Sequence, residues 1–69
     1  MITLAGQIAE AQRELALRKR VYPGWVKRKM LTEGEAVYYV KAMEAIVQTL
    51  IRLDMDQRQL PLFREIPGP

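Results

Sequence analysis

Leu4, Ile8, Ala11 and Leu15 recur at spacings of four, three and four residues, which places them on one side of an α-helix. Gln12, Arg13 and Arg20 fall elsewhere on that helix, and Thr3 stands before it with a hydroxyl suited to an N-cap. Pro23 lacks a backbone N–H and its ring crowds the turn before it, and Gly24 adds a second breaker. The pattern therefore predicts that the first helix ends near Arg20 to Tyr22, with residues 23–29 forming a short basic connecting helix or turn. Thr32 and Glu35 have the spacing of a capping box, in which hydroxyl and carboxylate satisfy each other's backbone N–H groups. From Glu35 no Pro or Gly interrupts the chain until well beyond Asp56, so a second helix of roughly 20 residues and about 30 Å is predicted.

On this second helix Ala36, Val40, Met43, Val47, Leu50 and Ile51 form one stripe, and Tyr39, Ile46 and Leu53 widen it beyond what one short partner helix covers. The predicted fold is all-α, a helical hairpin over residues 1–56. The surplus apolar arc is to be covered by the connecting segment or by a second copy, giving a homodimer resembling a four-helix bundle. Met43, Ile46, Leu50 and Leu53 are the expected dimer interface. Residues 57–69 contain three of the four prolines and lose the helical period, so they are expected to form an extended proline-rich C-terminal tail.

Composition narrows the chemistry. A chain of 69 residues buries little more than half of the surface its unfolded form exposes, and it has neither Cys nor His to add a disulfide or a common zinc site. Oligomerisation is the remaining usual source of burial. Without Cys, His or Ser the familiar nucleophile–base pairs are missing, and Gly6, Gly24, Gly34 and Gly68 are too scattered for a phosphate loop. The expectation is a binding protein, not an enzyme, with no catalytic residues, metal or cofactor. The start lacks the character of a signal peptide, and no apolar run reaches membrane-spanning length, so a soluble intracellular protein is expected.

Charge adds a candidate surface. The net charge is +3, yet residues 18–29, RKRVYPGWVKRK, contain six basic side chains and no acidic one. Arg18, Arg20, Lys27, Arg28 and Lys29 could meet phosphates while Tyr22 or Trp25 stacked on a base, which is a nucleic-acid reading. Equally, Arg18, Lys19 and Arg20 suit the negative end of a helix dipole. Tyr38 falls near the polar side with Lys41, Gln48 and Arg52, where an exposed aromatic suits an interface anchor or lies flat over aliphatic stems. In the tail, Gln59, Leu60, Pro61, Leu62 and Phe63 spell QLPLF, which resembles the peptide by which bacterial polymerases and repair proteins dock onto the replication sliding clamp. Gln59, Leu60, Leu62 and Phe63 would carry that contact. The structural alternative is that its apolar side chains fold over the second helix.

The segment ELALRKRVYPGWV, followed by a capped helix containing YYVKAMEAIVQTL, resembles small helical-hairpin proteins encoded by tailed phages and prophages, over about residues 8 to 53. One member type, from Pseudomonas phages, is a dimeric anti-quorum-sensing protein. It binds a LuxR-type transcription activator and also the ATPase that assembles type IV pili. The resemblance implies an anti-activator in the cytoplasm of the infected bacterial host, which blocks DNA binding by the activator and impairs pilus assembly. For such an inhibitor we expect Tyr38 and Tyr39 as apolar anchors, with Arg18, Arg20 and Arg28 selecting an acidic rim on the partner. A DNA mimic would need a dense negative surface, which this basic chain lacks.

Overall fold

In a computed structural model the chain forms two α-helices packed as an antiparallel hairpin, α1 over Leu4–Lys27 and α2 over Glu33–Glu65. The structure describes residues 1–65, with side chains through Arg58; no strand is present among them. Both predicted N-caps form. Thr3 Oγ1 accepts a hydrogen bond from the Gly6 N–H at 3.0 Å, and Thr32 Oγ1 accepts from the Glu35 N–H at 3.0 Å. Glu35 closes the box by accepting from the Thr32 N–H at 2.9 Å, and with Glu33 it puts negative charge on the positive end of α2.

The first helix does not stop at Pro23. It continues through Pro23 and Gly24 to Lys27, so the separate connecting helix predicted from the two breakers is the last part of α1. Proline removes only one backbone donor, the one that would have met the Lys19 carbonyl. Pro23 and Gly24 are exposed, while Tyr22, Trp25 and Val26 on either side are half-buried, so tertiary packing holds the helix across its local defect.

The true stop lies at Lys29, the one non-glycine residue with positive φ among the described residues, at 62°. Around it the Met30 N–H donates to the Trp25 carbonyl at 2.9 Å and the Lys29 N–H to the Val26 carbonyl at 3.0 Å. That pair of bonds is a Schellman cap, which ordinarily places glycine where Lys29 stands. The α2 backbone also extends past Asp56 to Glu65, where an extended tail is predicted. Up to Arg58 no breaker intervenes, and Arg58 pairs with Asp54 one turn earlier at 3.1 Å. The side chains of Gln59, Leu60, Leu62 and Phe63, and the whole of residues 66–69, lie outside the described residues.

Where the helices meet, Ala11 from α1 packs with Met43 and Val47 from α2, and Leu15, Leu50 and Ile51 flank them. These are members of the two predicted stripes. The small Ala11 leaves room for the larger Met43 and Val47 of the facing helix. Yet among the described residues only Ala11, Met43 and Val47 are buried, and the radius of gyration is 17.5 Å against about 11 Å for a globular chain of this length. A single hairpin has a seam, not an enclosed interior.

Two expected outcomes follow from this packing. Lys29→Gly relieves the left-handed backbone and should raise the unfolding free energy by about 1 kcal/mol in urea titration. Met43→Ala opens the centre of the seam and should cost about 2–4 kcal/mol in the same measurement.

Candidate functional site

The end of the hairpin formed by the last turns of α1 and the first turns of α2 gathers Tyr22, Trp25, Tyr38 and Tyr39. Trp25 and Tyr22 have ring centroids 5.4 Å apart, Tyr22 and Tyr39 meet edge to face at 6.4 Å, and Tyr39 and Tyr38 at 5.6 Å. The rings form one chain crossing from α1 to α2. It exists because α1 runs through Pro23: three residues of continuous helix bring Tyr22 and Trp25 to the same side. Tyr38 is 67% exposed and Tyr39 38% exposed, so the outer end of this chain faces solvent, backed by half-buried Tyr22 and Trp25.

Charge is concentrated at the same end. Between residues 18 and 41 stand seven cations and two carboxylates, a balance of +5 in a chain whose total is +3. Glu35 is already bound into the α2 cap. The cations proposed from sequence behave differently from one another. Arg18 is a brace: it donates to Glu14 at 2.9 Å within α1 and to the Tyr39 carbonyl of α2 at 2.9 Å. Arg20 and Arg28 are exposed and make no ion pair among the described residues, although Arg28 leans on the Gly24 carbonyl at 3.4 Å. Lys19 reaches across the hairpin to Glu44 at 3.5 Å.

Farther from this end, Arg13 pairs with Glu10 on the outer surface of α1. The guanidinium holds the Glu10 carboxyl below its ordinary range, first by hydrogen bonding and then by charge. Any stabilisation from it is present above the unfolded carboxyl pKa and fades as pH falls through the lowered folded value; water screens this fully exposed pair.

The apolar stripe continues beyond the rings. Ile46 and Leu53 follow Tyr39 at intervals of seven residues and are 48% and 45% exposed. Of the four expected dimer-interface residues, Met43 is buried in the hairpin seam and Leu50 half-buried against it, while Ile46 and Leu53 are open. Tyr22, which the sequence pattern suggests as a base-stacking residue, stands between the two helices against Tyr39. The three-residue spacing to Trp25 was the available signal, masked by the breaker rule for Pro23.

Among the described residues no group of three or more acidic side chains is placed to hold a metal ion, and no helix is long and apolar enough to cross a membrane. No protein-family model, curated protein or solved structure matches this chain.

The different roles of the arginines are measurable. Arg18→Ala should lower the unfolding free energy by about 1–2 kcal/mol through loss of the tie to the Tyr39 carbonyl, whereas Arg20→Ala should stay within about 0.5 kcal/mol.

Proposed function

We propose that this chain is a phage-encoded, protein-binding inhibitor of host proteins that works by occluding their surfaces. The observation that carries the reading is the solvent-facing Tyr38–Tyr39 pair, backed by Tyr22 and Trp25 and set in the most positive part of the molecule. Supported aromatic side chains beside cations suit an interface anchor, because rigid rings lose little conformational freedom on binding and the surrounding charge steers an acidic partner. Arg20 and Arg28 serve as the steering charges, and Arg18 serves by fixing the backbone at Tyr39.

Together with the sequence resemblance, this supports an anti-activator that binds a LuxR-type quorum-sensing regulator, keeps it from DNA, and also inhibits the type IV pilus assembly ATPase in the host cytoplasm. The positive end argues against imitation of DNA, whose surface is negative. A homodimer is part of the proposal. The chain exposes 5720 Å², whereas a folded protein of 8.0 kDa exposes about 4,500 Å², and the open row of Ile46 and Leu53 offers a second copy an apolar strip.

Purified chain should capture a LuxR-type activator and release it from its operator in a gel-shift assay, and should likewise capture the pilus ATPase. Tyr38→Ala with Tyr39→Ala should weaken capture at least tenfold with helical circular dichroism unchanged. Capture of neither host protein, or full capture by the double variant, would sink the proposal. Light scattering at micromolar concentration should give twice the 8.0 kDa chain mass, falling to one chain in Ile46→Asp with Leu53→Asp.

A further inference from the structure

A groove of about 640 Å³ runs between the helices near the elbow, on the other side of α2 from the open apolar row. Val37 lies two residues from Tyr39, a rotation of about 200°, so a partner seated on one side leaves the other free. Tyr22 and Val26 of α1 and Ala36, Val37 and Val40 of α2 line it with apolar surface, and Val37 is 50% exposed. At its inner end the Lys19–Glu44 pair crosses from helix to helix. Along the α2 wall Glu33 and Lys41 also line the groove, and neither makes an ion pair among the described residues.

We propose that this groove is a second docking surface, which takes an amphipathic helix from another protein as a third helix beside the hairpin. The charge pattern specifies the occupant. Glu33 and Lys41 lie eight residues apart, about 12 Å along α2, with Val37 midway between them. A matching helix presents an apolar ridge flanked by one basic and one acidic side chain about two turns apart. Shape selects the same class of partner. The groove is open and lined by residues of both helices, which leaves room for one helix laid along it. This inference stands apart from the proposed aromatic contact and survives its failure.

Three synthetic amphipathic helical peptides with the same leucine ridge serve as probes, carrying Lys and Glu, two Glu, or two Lys at the flanking positions eight residues apart. These pairings remain distinct whichever way the peptide lies. Binding is read by the fluorescence of Trp25, whose ring is 5.4 Å from Tyr22 on the groove floor, and by calorimetry. The native chain should bind the mixed peptide at least tenfold more tightly than either other. Glu33→Lys should turn the preference to the two-Glu peptide and Lys41→Glu to the two-Lys peptide. Val37→Asp should abolish binding of all three with helical circular dichroism and light-scattering mass unchanged. Equal affinity for the three peptides, or no saturable binding, would overturn the proposal. So would a fall in oligomeric mass in Glu33→Lys without a change in peptide preference, because a second copy would then be the occupant.

Discussion

The close contact of Ala11 with Met43 and Val47 is the constraint on which the rest of the molecule depends. Among the described residues it is the only place where side chains are buried, and no polar or charged side chain is buried with them. A seam this narrow fixes how the two helices face each other and leaves large apolar side chains in the open. The surface properties follow from that shortage: what the seam cannot cover, the Tyr39, Ile46 and Leu53 row on one side and Val37 on the other, stays exposed.

Much of the architecture is legible in the sequence because it is governed by local chemistry. Thr3, Thr32 and Glu35 announce both helix starts, and each makes the hydrogen bonds its position implies. The apolar stripes are equally direct, since Ala11, Met43 and Val47 are members of the two predicted rows. The helix ends are less legible. Pro23 and Gly24 carry strong local preferences against helix, but packing of Tyr22, Trp25 and Val26 outweighs one missing hydrogen bond. The actual stop uses lysine where a Schellman cap normally has glycine, so the residue type gives no warning.

The same displaced boundary explains why the candidate surface was only half visible. With α1 ended before Pro23, Tyr22 and Trp25 belong to different segments and the four rings have no reason to meet. With α1 continuous they form one chain with Tyr38 and Tyr39, and the basic residues around them become an edge of that surface. The distinction between Arg18 and its neighbours lies beyond sequence pattern altogether, because it depends on a carbonyl in the other helix.

The short connection between Lys27 and Glu33 has a kinetic meaning as well. It makes the first contacts between the helices cheap, since closing so few residues forfeits little chain entropy, and each later contact forms next to one already made. Contacts near the elbow, such as that of Arg18 with the Tyr39 carbonyl, therefore close a shorter loop than the seam at Ala11 and Val47 does. Leu4 and its neighbours lie farthest from the elbow in α1, so their contacts with α2 close the longest loop and gain least from that short connection.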